Sequence, residues 1–372
     1  MDGALLARLR QQGDPAVLRE ARVEADRAMK GPLLSVMDKK AIPPSGDKHD
    51  YLSLAPYWWP NPATPNHLPY IRKDGVHNPE ASAVQDHEDL GRMSENVHEL
   101  AMGYFLTGDE SYAKRAVGQL KAWFLDPATR MNPNLNFAQA IMGVNDGRGA
   151  GLIDARGLAE VVDVLALLTD SSSLSQSDRA AIHAWFETYL NWLTTSPNGL
   201  HEAAAKNNHG NWYDAQAGAI ALYLGKAEFV RNLMETAKTK RIGSQIQPDG
   251  QQPLEEARTK SFHYSIFSIE ALMKMAAEAQ TVNVGLWSYK APSGGSIRAA
   301  LDYLLPFAEK KKTWEHQELD GVSAADLHDA LLIAAVQYNN PGYEALALTT
   351  HSGNLNSLLF EREFAAAQKA AQ

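Results

Sequence analysis

Apolar residues recur at helical spacing through most of the chain. The sharpest case runs from Ser175 to Leu193, SQSDRAAIHAWFETYLNWL. Its Ile182, Trp185, Phe186, Tyr189, Leu190 and Leu193 follow the i, i+3, i+4, i+7 rule of one buried helix face. Ser175, with Asp178 three residues on, reads as the N-terminal cap. The same periodicity predicts helices near 15–30, 88–106, 110–124, 155–169, 211–224, 226–239, 263–279, 297–311, 323–337 and 356–370. Gly225 is placed to close one of them, because glycine accepts the left-handed backbone of a helix C-terminus. No region is strand-rich and no βαβ rhythm appears. Short turns separate most helices, so sequence neighbours are expected to pair antiparallel. No fixed repeat period points to a tetratricopeptide-type solenoid. No Gly/Ser-rich or charged linker divides the chain. The expected fold is all-α, one domain over residues 1–372.

Two stretches break the helical pattern. Residues 43–80 are rich in proline and aromatics. A loop of that length inside a compact domain is either functional or disordered. Tyr51, Tyr57, Trp58, Trp59 and Tyr70 argue against disorder. Within it, Tyr57-Trp58-Trp59-Pro60 reads equally as a stacking platform for the flat C–H faces of sugar rings and as a plug pinning the loop to the helices. The second stretch, 132–157, carries amides and arginines between glycines, among them Gln139, Asn145 and Arg148.

Charge and composition narrow the partners. The formal net charge of -9 speaks against a broad nucleic-acid surface. A polyanion is expected to bind only through a locally basic cleft, for which Arg148, Arg156, Lys206, Arg258 and Lys260 are the candidates. No apolar run reaches the roughly 18 residues that span a bilayer. The opening MDGALLARLRQQGD lacks the apolar core of a signal peptide. With no cysteine, disulfides, thiolate zinc sites and cysteine nucleophiles drop out, and both cytoplasm and periplasm stay open.

The chemistry concentrates in two segments. KNNHGNWYDAQ, Lys206 to Gln216, sets Asn207, Asn208 and His209 beside Trp212 and Tyr213. LEEARTKSFHY, Leu254 to Tyr264, gathers Arg258, Lys260, His263 and Tyr264. An amide, an imidazole, a guanidinium and a phenol suit removal of a proton from carbon beside a carboxylate, followed by loss of an oxygen leaving group. That chemistry needs neither metal nor cofactor. A helix starting near Gly210 puts Asn208 and His209 at its N-terminus, where free N–H groups and the dipole favour an anion such as a substrate carboxylate. Asparagine is equally common there as a plain cap. A helix starting near Ser261 puts Tyr264 in its first turn. Nearby Arg and Lys charge is expected to favour its phenolate; the alternative is a half-buried tyrosine whose hydroxyl bonds a neighbour. The other ten histidines are scattered with no tight metal-ligand spacing. No GxSxG, P-loop or GxGxxG motif is present. Asp86, Glu88 and Asp89 offer carboxylates for a glycosidase pair, but read better as the solvated start of a helix.

The strings DYLSLAPYWWPNP, TRMNPNLNFAQAIMG, NDGRGAGLIDARG, AKNNHGNW and PLEEARTKSFHYS resemble the alginate lyase domain of bacterial polysaccharide lyases, over about residues 45 to 320. Polysaccharide lyase family 38 is the nearer subgroup and family 5 the more distant. The resemblance implies an (α/α) toroid of about six to seven antiparallel helix pairs, closed or incomplete. It implies β-elimination on a β-1,4-linked polyuronate, an anionic polysaccharide partner, and a bacterial periplasmic or secreted location. By the same resemblance Tyr264 and His209 match the catalytic pair, Asn208 the amide that binds the carboxylate, and Arg258 the arginine near the tyrosine. Tyr57, Trp58, Trp59, Gln139, Asn145, Arg148, Lys206, Trp212, Lys260 and His263 are then the expected substrate contacts. After Asn-Asn-His, family 5 has Ser-Tyr-Trp where this chain has Gly210, Asn211 and Trp212, so the floor of the site is expected to differ. Two other classes share parts of this pattern. An inverting glycoside hydrolase on a helical toroid needs two carboxylates across the cleft. A non-catalytic uronate-binding protein would hold oligomers without shortening them.

Overall fold

A computed structural model describes residues 3–350 and 353–371; His351 lies outside them. Sequence-adjacent helices pair as hairpins. Asp86–Thr107 turns at Gly108 into Glu110–Leu120, and Asn208–Tyr223 turns at Gly225 into Ala227–Ala237. Both glycines hold the left-handed φ of a helix C-terminus, at 76° and 71°. One partner from each hairpin joins an inner ring. Asp86–Thr107 contacts Leu158–Val164, which contacts Asn208–Tyr223, then Ser261–Thr281, then His328–Tyr338. The outcome is an (α/α) toroid.

The inner helices Asn208–Tyr223 and Ser261–Thr281 run parallel. Asn208 bonds Glu255, just ahead of Ser261–Thr281, and Asn211, further along its own helix, bonds Ser268, deeper in Ser261–Thr281. Their N-termini therefore open at the same end of the ring. A continuous apolar core packs the helices together, with Trp123, Phe124, Phe186, Tyr189 and Leu272 sealed within it. A second cluster joins the first two helices to the last one through Leu5, Leu9, Val17, Leu355 and Leu359.

The predicted helices are present, with shifted ends. The 110–124 helix finishes in a wide turn, Lys121–Leu125, and the 155–169 helix shortens to Leu158–Val164 between tight 3-10 turns. Ser175 caps Gln176–Thr195 by accepting the Asp178 N–H. Gly3–Gln12, Pro197–Ala203 and Pro341–Leu348 escaped the periodicity because they span too few turns to display it.

The two irregular stretches are ordered and sewn together. Leu52–Leu54 pairs in parallel with Phe137–Ala140, and Trp58–Trp59 pairs antiparallel with Ile71–Arg72. One expectation fails here. Asp86 does not open a solvated helix face: its carboxylate and the Lys39 ammonium meet at 3.0 Å with neither side chain exposed. The Leu52 N–H also donates to Asp86, tying the loop to this helix. Burial outweighs both partners and pushes the carboxyl up to about 7. Asp89 is buried beside it. A sealed, paired carboxylate of this kind cannot serve as half of a glycosidase pair.

Candidate active site

The start of Asn208–Tyr223 is an anion site, and the protein fills it from within. The Asn208 backbone N–H donates to Glu255 Oε1 and its side-chain Nδ2 to Oε2, both at 2.6 Å. Asn208 is fully buried. The expectation that this helix end and the Asn208 amide lie open to a substrate carboxylate is corrected: the carboxylate there belongs to Glu255, itself 2% exposed. Among the described residues, Asn208 Oδ1 is left without a partner. The helix also starts two residues earlier than predicted, at Asn208 rather than Gly210.

Tyr264 lies in the first turn of Ser261–Thr281, as the sequence predicts. Its hydroxyl meets that of Tyr57 at 2.7 Å. The Arg258 guanidinium covers its ring, 3.8 Å from the centroid. That guanidinium is not free, because Nε and Nη2 form a two-point bridge with Asp74 at 3.0 and 2.9 Å. Asp74 also accepts from Thr259, so this one aspartate fastens the 43–80 loop over the start of the helix. The expected phenolate is corrected as well. Burial drives the Tyr264 hydroxyl well above its ordinary range. Arg258 pulls it down, but Tyr57 adds to the rise. Tyr264 is therefore a neutral phenol in the free protein.

His209 has a partner that sequence reasoning missed. Its Nδ1 lies 2.6 Å from Glu202 Oε1. An ionised carboxylate only accepts, so Nδ1 carries the hydrogen and Nε2 is left as the basic nitrogen. Glu202 is 2% exposed and rides on the short helix Pro197–Ala203. Nothing in its sequence context marks it, since that helix is too short to show a period. Glu202→Gln keeps an acceptor oxygen without the charge, and Glu202→Leu keeps neither. The expected result is a stepwise fall in kcat, on the order of tenfold and then hundredfold, as for other carboxylates that orient a histidine. KM is expected to stay close to wild type; a rise in KM at constant kcat would mean that Glu202 shapes binding alone.

A single electrostatic neighbourhood links these groups. Glu255 feels both Arg258 and His209, and Arg258 feels Tyr264. The two segments singled out from sequence do converge.

The alginate lyase family model matches residues 35–314. The chain belongs to the alginate lyase family. An alginate lyase from Bacteroides ovatus shares 37% identity, with 96% of this chain and 97% of that chain covered, at a TM-score of 0.90. An alginate lyase from Sphingomonas species A1 shares the fold at 17% identity and TM-score 0.55, covering 86% of this chain and 87% of its own. A variant of that enzyme complexed with a tetrasaccharide gives TM-score 0.55 at 17% identity, over 88% and 89% of the two chains. No curated protein sequence matches.

The lyase accounts for its Gly210 in steric terms. A Cβ there would lie 2.1 Å from Arg241 Nη1 and 2.3 Å from the Ala205 carbonyl oxygen. A serine in the family 5 manner has no room. Arg241 occupies that space because it holds the loop ahead of Asn208, donating to the carbonyls of Ala203 and Ala205 while paired with Asp214.

The remaining predicted contacts divide. Arg148 Nη2 donates to Gln139 Oε1 at 2.7 Å, and Arg148 feels the Glu202 charge. Trp212 stacks obliquely on Phe267 at 4.9 Å, and exposed His263 lies flat against the same ring at 6.1 Å. Lys260 pairs with Asp320 at 2.7 Å. Lys206 is exposed. Asn145 closes its own turn by bonding Ile141. Trp59 is anchored through its indole N–H to the Val76 carbonyl, with Lys73 over its ring. Trp58 is half-buried in the same hairpin. No helix among the described residues is long and apolar enough to cross a membrane.

Proposed function

We propose that this polysaccharide lyase acts on a β-1,4-linked polyuronate with Tyr264 and His209 as its proton-transfer groups. The supporting observation is the pairing of a neutral phenol, under Arg258 and against Tyr57, with an imidazole oriented by Glu202. The C5 proton of the uronate passes to a base, the C5–H electron pair becomes the C4=C5 double bond, and O4 leaves with a proton from an acid. Tyr264 enters protonated, so donation to O4 is its natural half of the task. His209 Nε2 is then the base where C5–H and O4 lie on opposite faces of the ring. Where they share a face, as in mannuronate and glucuronate, Tyr264 must first lose its proton to solvent; the phenolate, with the Tyr57 hydroxyl donating a hydrogen bond to it, then takes the C5 proton and gives it to the departing O4. Developing charge on the uronate carboxylate needs donors beside it. Asn208 and Arg258 support the site from behind, through Glu255 and Asp74.

The lyase is proposed to work as one domain, since its core runs unbroken from Ala25 to Phe364. A polymeric substrate places it in the periplasm or outside the cell. Polyglucuronate and polymannuronate are the chains to test, with glucuronate-type chains the preferred class. The assay follows ultraviolet absorbance of the new double bond together with product size. Chain shortening with rising absorbance is expected. Shortening without the chromophore would mean hydrolysis and would overturn this reading.

A further inference from the structure

We propose that Glu318 is a positioning residue for the elimination: from outside the two chemistry-bearing segments, it holds in place the first helical turn on which Tyr264 rides. This rests on the reading of Tyr264 as a proton-transfer group and names the segment that sets where its phenol stands.

The helix Ser261–Thr281 has no cap of its own. Its N-cap position is Lys260, whose side chain only donates and makes no capping bond. The free N–H groups of the first turn therefore need acceptors from elsewhere. Residues 314–320, between Ile297–Ala308 and His328–Tyr338, supply them. The Gln317 carbonyl accepts from the Ser261 N–H at 3.2 Å and from the Ser261 hydroxyl at 2.7 Å. Glu318 Oε2 accepts from the Phe262 N–H at 2.7 Å and from the His263 N–H at 3.2 Å. The Tyr264 N–H turns back to the Lys260 carbonyl at 2.9 Å. A carboxylate at this end also opposes the positive pole of the helix.

The same segment grips the turn from behind. Trp314 donates its indole N–H to Ser261 Oγ at 2.7 Å and meets buried Phe262 edge-on at 5.3 Å. Phe262 and Tyr264 are two positions apart, about 200° around a helix axis, so this contact presses on the face away from the phenol. Ahead of the helix, the Leu319 N–H donates to the Thr259 carbonyl at 3.0 Å, while the Thr259 N–H and hydroxyl donate to Asp74. A Cβ on Gly75 would lie 2.3 Å from Thr259 Oγ1 and 3.2 Å from Leu319 Cδ1, so the 43–80 loop and this segment close on Thr259 together. The helix that carries His209 is built alike. Its N-cap Asn207 makes no side-chain cap, and Glu255 takes the Asn208 N–H instead. Both proton-transfer groups thus ride in first turns closed by a carboxylate from another part of the chain. Glu318 is the one that can be removed without opening the buried network around Asn208. Placement of this kind has a large lever on rate, because a shift of about 1 Å can cost a hundredfold.

The test compares wild type, Glu318→Ala and Glu318→Gln. Ultraviolet absorbance on polyglucuronate and polymannuronate gives kcat and KM, each enzyme being assayed well below its own melting temperature. Hydrogen exchange over residues 259–266, read by mass spectrometry, reports the turn itself. One oxygen of Glu318 serves both N–H groups, and the amide oxygen of glutamine can take its place. Glu318→Ala is expected to lower kcat by about ten- to a hundredfold with KM close to wild type, and to speed exchange at Phe262 and His263. Glu318→Gln is expected to restore most of both. A Glu318→Ala enzyme that exchanges faster yet turns over like wild type overturns the assignment, by making the cap structural alone. A rise in KM at constant kcat overturns it too, as does a glutamine variant as slow as the alanine one. Unchanged exchange in Glu318→Ala shows that the carboxylate does not hold the turn, and overturns it on that ground. A wild type that gives no absorbance on either chain sinks the elimination itself and Glu318's part in it, whereas the exchange result would stand.

Discussion

Tyr264→Phe is expected to lose about two to four orders of magnitude in kcat, the span associated with a positioned proton donor or acceptor, while oligouronate binding changes little. The substitution removes one oxygen. The ring stays beneath Arg258, whose bridge to Asp74 does not depend on the hydroxyl, so the loop stays fastened. Tyr57 loses its partner at 2.7 Å but is only partly buried, so solvent can replace it. Initial rates from ultraviolet absorbance and affinity from calorimetry measure the two halves of the claim. Activity near wild type would remove Tyr264 from the reaction. The pH profile separates its two possible roles. Burial and Tyr57 keep the phenol protonated up to strongly alkaline pH. An acid role therefore predicts no rise in kcat as pH climbs above neutral, whereas a phenolate base predicts a continuing rise.

Arg241→Met is expected to destabilise the fold by about 3–5 kcal/mol, because it strands a buried carboxylate. Arg241 and Asp214 are 0% and 1% exposed, with Nε to Oδ2 at 2.7 Å and Nη2 to Oδ1 at 3.0 Å. The same guanidinium holds the carbonyls of Ala203 and Ala205, so the loop ahead of Asn208 loses its anchor along with the ion pair. A fall in melting temperature on the order of 10 °C should accompany a loss of activity larger than unfolding alone explains at the assay temperature. Adding Asp214→Leu removes the stranded charge and is expected to recover part of the stability but little of the activity. A single Arg241→Met variant that melts with the wild type would show that water reaches the pair, and that the coupling between this bridge and the site is absent.

The helical architecture was legible because it rests on short-range order. A buried face repeats every three or four residues, and capping serines and closing glycines sit beside the turns they make. The 176–195 helix, its Ser175 cap and the Gly225 stop all needed no knowledge of the fold. The short helix carrying Glu202 was not legible, since seven residues do not display a period.

The sequence by itself determined the helices and the inventory of chemistry: a phenol, an imidazole, an amide and arginines in two segments and one glycine-flanked stretch. Tertiary structure alone decided what those groups are. Asn208 meets Glu255 across 47 positions, Arg258 meets Asp74 across 184, and Tyr264 meets Tyr57 across 207. Those meetings close the helix end to outside anions, neutralise one arginine and hold the phenol protonated. Protonation and charge pairing depend on burial and on neighbours a few ångströms away in space, and that distance is set by how the inner helices stand side by side, not by any local spacing along the chain.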